Sequence, residues 1–185
     1  MARPLRIEYP GAFYHVINRG QRQDAIVEDD RDREHFLSCL ERMVNLFGVR
    51  LHGFCLMTNH YHLVIETPEA NLSRAIQWLN VSHAVYHNRR HRMTGHLFQG
   101  RFKAILIEAD AYLETLSRYI HLNPVRVSLV RQAWAYPWEL SRRSCQDLGT
   151  CFGAISGAAI SARCKRLNER GLGSRLNYQL LTFIC

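Results

Sequence analysis

An α+β fold, an antiparallel sheet with helices on one face, is what this sequence predicts, and three observations carry that prediction. The hydrophobic period switches repeatedly between two and about 3.6 residues, so strands and helices alternate. Two strand-like runs, residues 49–57 and 60–67, are separated only by Thr58-Asn59, which leaves room for a tight hairpin and nothing more. The resulting order is strand, helix, strand, strand, helix, strand, helix. That order matches the split βαβ, or ferredoxin-like, pattern.

Each element has its own warrant. Residues 12–18 alternate and are rich in aromatic and β-branched side chains, as a strand requires. Residues 29–47 carry Phe36, Leu37, Leu40, Met43, Val44 and Phe47 at helical spacing, with Gly48 as a stop. After the hairpin, Asn71 or Ser73 can cap a second helix whose apolar positions are Ile76, Leu79, Val81 and Val85, ending near His87. Residues 102–108 read as another strand and 110–122 as a third helix. Pro124 disfavours the α conformation at Asn123, so the helix is expected to stop there.

The hairpin holds the most informative stretch, Met57-Thr58-Asn59-His60-Tyr61-His62-Leu63-Val64-Ile65. Alternate strand side chains point the same way, so His60 and His62 project from one face as a pair of ligands for a divalent metal. The bland alternative is a strand with two polar residues on its wet face. A second motif, Arg118-Tyr119-Ile120-His121-Leu122-Asn123-Pro124-Val125-Arg126, tips the balance. Residues i and i+4 of a helix lie one above the other, so Tyr119 and Asn123 can face one point. The Asn123 oxygen can then complete a His-His-Asn site with the Tyr119 phenol one turn back. A core tyrosine and a C-cap asparagine are the alternative.

The 185 residues suit one domain with a proper core and a small appendage, 47% of them hydrophobic and 22% charged. Formal net charge is +8 and the isoelectric point about 9.5, which favours a polyanionic partner. Only Lys103 and Lys165 among the 24 basic residues are lysines. Arginine suits phosphates and base stacking, although codon composition would produce the same bias. Between the second helix and the last strand, Arg89, Arg90, Arg92, Arg101 and Lys103 are interleaved with Phe98 and Phe102. Cations among aromatics are what a single-stranded nucleic acid needs, phosphates neutralised and bases stacked; a solvated loop is the alternative.

The six cysteines form no CxxC pair and no zinc-finger spacing, and Cys39 and Cys55 fall in apolar patterns where a reduced buried thiol is expected. The basic N-terminus leads into no apolar signal region, and no run approaches the roughly 18–20 apolar residues of a membrane span. The expectation is a soluble, reduced, cytoplasmic protein with no membrane partner.

With both motifs in view, the chain resembles the single-tyrosine HUH transposases, most closely the REP-associated tyrosine transposases of bacteria. The matching segments are His15-Val16-Ile17-Asn18-Arg19-Gly20, Leu56-Met57-Thr58-Asn59-His60-Tyr61-His62-Leu63, Phe98-Gln99-Gly100-Arg101-Phe102-Lys103 and the Tyr119–Asn123 motif, collinear over roughly residues 9–140. The resemblance implies the ferredoxin-like HUH nuclease fold. It makes His60 and His62 the metal-binding pair, Asn123 the third ligand and Tyr119 the nucleophile. It also implies cleavage and rejoining of single-stranded DNA beside imperfect, REP-like hairpins through a 5′-phosphotyrosine, with Mg²⁺ or Mn²⁺, by a monomer or homodimer.

The sequence departs from the pattern twice. Thr58 stands where many relatives have proline, and residues 141–185 read as a shortened tail, a possible helix-turn-helix remnant. A non-catalytic or degenerate nucleic-acid-binding module derived from such a transposase is therefore the alternative function. A HIT-type nucleotide hydrolase would need a third alternating histidine, and Val64 occupies that position. Scattered cysteines argue against a structural zinc protein.

Overall fold

The computed structural model describes residues 6–108 and 110–141. The expected tail, from residue 142 on, lies outside them. The elements are β1 (Ala12–Arg19), α1 (Asp30–Phe47), β2 (Arg50–Leu56), β3 (His60–Thr67), α2 (Leu72–His91), β4 (Lys103–Ile107), α3 (Asp110–Arg126) and β5 (Glu139–Ser141). The five strands form one antiparallel sheet in the order β4-β1-β3-β2-β5. The first four strands give the ferredoxin-like arrangement that the sequence predicts. β5, which it does not predict, adds an edge strand against β2.

α1 starts where Asp29 accepts a bond from the backbone N–H of Asp32 at 3.0 Å, with Asp30 and Asp32 in the positive first turn. It ends at Gly48, whose φ of 61° is the left-handed conformation glycine adopts without strain. Phe36, Leu37, Leu40 and Met43 are buried, as their spacing predicts. α2 is capped differently from expectation. The Asn71 amide donates instead to the Phe47 carbonyl at 2.8 Å, satisfying the end of α1. The Glu8 carboxylate takes the Ser73 N–H at 3.3 Å and the Ser73 hydroxyl.

Two further expectations are corrected. Val81 and Val85 are 54% and 62% exposed; the buried stripe runs through Leu72, Ala75, Ile76 and Leu79 and continues as His83 and His87. α3 does not stop at Asn123 but carries Pro124 inside it and runs to Arg126. Proline removes one donor from the ladder, yet the chain beyond stays bonded, Val127 N–H to Asn123 at 3.2 Å and Leu129 N–H to Pro124 at 2.9 Å.

The sequence reading put the helices on one face, and that describes α1 and α2. Tyr61 of β3 meets Phe36 of α1 and Asn80 of α2, whereas its neighbour His62 meets Tyr119 and Asn123 of α3. Neighbouring strand residues point to opposite faces, so α3 lies across the other one. The main core fills the space between the sheet and the α1–α2 pair. Cys39 is buried within it, whereas Cys55, paired with His62 in the β2–β3 ladder, is buried on the α3 face. Among the described residues, no helix is long and apolar enough to cross a membrane.

Candidate metal and nucleophile site

β3 delivers the two histidines, and the residue between them fixes how they stand. Tyr61 is fully buried, and its hydroxyl donates to Asn80 Oδ1 at 2.7 Å. Burial pushes its phenol far above the ordinary range, so Tyr61 anchors the strand to the core and does not ionise. That anchor leaves His60 and His62 on the α3 face, with ring centroids 5.0 Å apart at 82°.

The neighbouring strand completes the row. Ile17 pairs with His62 and Arg19 with His60 in the β1–β3 ladder, and this register brings His15 onto the same face. His15 Nε2 lies 2.9 Å from His62 Nδ1. His15 stood in a recognised segment, but only the ladder register assigns it to this site.

From above the sheet, α3 supplies the rest. Asn123 is 6% exposed, with its side-chain nitrogen 2.9 Å from His62 Nε2. Tyr119, one turn back, meets His62 edge-on with ring centroids 5.8 Å apart, yet remains 39% exposed. One turn forward of Asn123, the Arg126 guanidinium lies 5.2 Å from the centre of the Tyr119 ring. The structure thus brings Tyr119, His60, His62 and Asn123 together and adds His15 and Arg126.

The electrostatics favour neutral imidazoles. Burial brings His60 down to about 4, helped by Arg19. His62 falls to about 2, through burial first and then the neighbouring His60, His15 and Arg19. His15 falls to about 4 through burial and Lys103. A metal ligand must offer a lone pair, so neutrality at physiological pH is the required state.

The donor set fits a divalent ion. His60 Nδ1 lies 2.7 Å from Asn59 Oδ1, and His62 Nδ1 is engaged by His15, which leaves Nε2 of both rings for coordination. The two ends of an asparagine amide are interchangeable in placement, so turning it over puts Oδ1 where Nδ2 stands. Its 2.9 Å distance from His62 Nε2 is that of adjacent ligands about 2.1 Å from an octahedral ion.

The cationic segment divides on inspection. Arg101 and Lys103 line a groove of about 620 Å³ with Arg6, Arg19, Asn18 and Gln99, and Arg19 lies opposite His60 in the ladder. Arg89 and Arg92 are exposed on the last turn and C-cap of α2, outside that lining. Arg90 is committed elsewhere, with one nitrogen 2.5 Å from Asp29 and the other 2.5 Å from Asp32. Phe98 and Phe102, expected to stack on bases, border a second pocket of about 760 Å³ with Arg6 and Arg101. They are only 8% and 7% exposed, Phe98 meeting Tyr61 edge-on and Phe102 lying beneath the Arg6 guanidinium at 3.5 Å.

Fold and site together define a class: a ferredoxin-like domain that presents paired strand histidines to a tyrosine and an asparagine on a helix. The family model for IS200-like transposases matches residues 9–123, and the chain belongs to that family. Its structure is similar to that of a REP-associated tyrosine transposase bound to a REP hairpin, with a TM-score of 0.63 and 15% identity over 75% of this chain and 82% of that one. A Deinococcus radiodurans protein described as a transposase is 16% identical, with a TM-score of 0.45 over 64% of this chain and 95% of its own. No match was found among curated proteins.

Proposed function

We propose that this transposase-family chain cleaves and rejoins single-stranded DNA beside hairpins, with a divalent metal and a covalent tyrosine intermediate. One observation carries the reading. His62 stands at the junction of the whole set, 2.9 Å from Asn123, 2.9 Å from His15, and edge-on to an accessible tyrosine. The hairpin part of the reading is supported by the similar structure, which holds a REP hairpin.

His60, His62 and Asn123 would hold the ion, Mg²⁺ or Mn²⁺, which when bound draws charge off the non-bridging oxygens of the scissile phosphate. Tyr119 attacks phosphorus through its hydroxyl oxygen. A bond forms between that oxygen and phosphorus, the bond to the 3′ oxygen breaks, and the 5′ side is left on tyrosine. The phenolic proton passes to solvent and the departing 3′ oxygen takes one up. Arg126 over the ring favours the negative charge that develops on the phenol. The phosphotyrosine keeps the energy of the original diester, so a 3′-hydroxyl can attack it and rejoin strands without ATP. Arg19, Arg101 and Lys103 neutralise the phosphates of the strand in the groove.

Hairpin-flanked oligonucleotides incubated with Mn²⁺ are expected to yield a protein–DNA adduct that survives boiling in detergent. Tyr119→Phe should bind the DNA and form none. An adduct of undiminished yield in that variant removes Tyr119 as nucleophile, and wild-type binding without an adduct favours a binding module.

A further inference from the structure

A second group of metal-ligating side chains lies behind the sheet, at the C-terminal end of α2. His87 and His91 are one turn apart on that helix, and both face Glu28 in the connection that leads into α1. The candidate ligand atoms of Glu28, His87 and His91 all lie within 4.8 Å of one another. His91 Nδ1 is 3.3 Å from Glu28 Oε2, and His87 Nε2 is 4.0 Å from Glu28 Oε1.

Two observations separate this group from an ordinary ion-pair cluster. His87 is 1% exposed, and neither of its ring nitrogens has a hydrogen-bond partner. A buried polar ring left unsatisfied costs about 1–3 kcal/mol, so such a group needs an explanation. The second observation concerns the tautomer of His91. Asp32 Oδ2 stands 2.9 Å from His91 Nε2, and a carboxylate there calls for a proton on that nitrogen. The Nδ1 lone pair of a neutral ring would then point at a carboxylate oxygen of Glu28. Lone pair against lone pair is repulsive unless a cation lies between them, either a proton or a metal ion. A proton on His91 satisfies that pair alone, whereas a metal ion also occupies the His87 nitrogen.

We propose that Glu28, His87 and His91 form a binding site for a zinc-class divalent cation, separate from the Tyr119 site. Two imidazoles and a carboxylate suit zinc and its neighbours better than Mg²⁺. Zinc bonds of about 2.0–2.1 Å bring tetrahedral ligand atoms to about 3.3 Å apart, a separation that His91 and Glu28 already show. Asp32 orients His91 from behind and is itself held by Arg90 at 2.5 Å. Glu28 is half-exposed, which leaves a route in and a fourth position for water. The ion would fasten the loop before α1 to the end of α2, so its role is to hold the fold.

The test uses the full chain carrying His60→Ala and His62→Ala, which removes the imidazole pair of the other site. Zinc titrated against a chromophoric chelator should show a tightly bound equivalent, and Co²⁺ in its place should give the intense visible absorption of a four-coordinate ion. Adding Glu28→Gln or His91→Gln should weaken that equivalent on the order of 10–100-fold and abolish the rise in melting temperature that zinc produces. Glu28→Gln alters a half-exposed side chain, so circular dichroism should report an intact fold. The proposal fails if the His60→Ala/His62→Ala chain binds no zinc, or if Glu28→Gln and His91→Gln bind it as tightly as that chain does.

Discussion

The two histidine groups of this molecule sit on opposite faces of the sheet and are surrounded by opposite charges. On the α3 face, His15, His60 and His62 are joined by two asparagines, an arginine and a lysine, with no carboxylate among the partners described. On the other face, His87 and His91 are met by Glu28 and Asp32. The difference decides what a bound ion can do. Neutral ligands leave an ion with its full double charge, and that charge is what a phosphodiester oxygen requires. Carboxylates cancel most of it, so an ion at the second group would hold the protein together and offer an anion little.

The sharpest way to break this comparison is to carry a carboxylate across. Asn123→Asp keeps the side-chain shape and adds a negative charge next to His62 and the proposed phosphate. Mn²⁺ affinity should rise, while adduct formation should fall on the order of 10–100-fold, because a charge at about 4 Å acts strongly in a buried site. The two readouts moving in opposite directions would distinguish an electrostatic cause from a misfolded site. Faster cleavage by the aspartate variant would mean that the neutrality of the donor set does not matter. His62→Ala should cost more than Asn123→Ala in Mn²⁺ binding, since imidazole holds transition-type ions more firmly than an amide oxygen.

Acid should act on both faces alike. Burial holds His15, His60 and His83 at about 4 and His62 lower still, against an unfolded value near 6.5. The unfolded chain therefore binds more protons between pH 6.5 and 4. Stability is fully present above pH 6.5 and is lost as the pH falls towards 4. Urea midpoints of the metal-free protein should drop between pH 7.5 and pH 5 by an amount worth a few kcal/mol. A midpoint flat across that range would mean that these rings are more open to water than the structure has them.

The comparison also marks what was legible in the sequence. The HxH pair and the Tyr119–Asn123 spacing could be read because each lies within one element, where period alone dictates direction. His15 could not, because its place depends on the register between β1 and β3, which no local pattern encodes. The α2 stripe failed at Val81 and Val85 for a related reason. Histidines read as polar, so the buried row through His83 and His87 went unrecognised, and the nearest valines stood in for it. Pro124 reads as a stop, yet the turn beyond it supplies its own bonds. Phe98 and Phe102 look the same in sequence whether they wait for a base or fill a core.

The smallest expected effect separates two kinds of cation that the sequence could not distinguish. Arg101 and Lys103 line the groove beside Arg19, whereas Arg90 is bound to Asp29 and Asp32. Removing a phosphate contact lowers the salt dependence of single-strand binding by about 0.7 in logarithmic slope. Arg101→Gln with Lys103→Gln should therefore flatten the slope by about 1.4, with little effect on stability. Arg90→Gln should leave the slope unchanged and destabilise the fold instead. The Arg90 partner Asp32 is buried, and a buried carboxylate stripped of its guanidinium costs more than a surface pair would. DNA affinities measured at several salt concentrations, with a urea midpoint for each variant, read both quantities. If Arg90→Gln flattens the slope as much as the groove variants do, its guanidinium reaches the DNA, and the cations of the two faces are not divided as described.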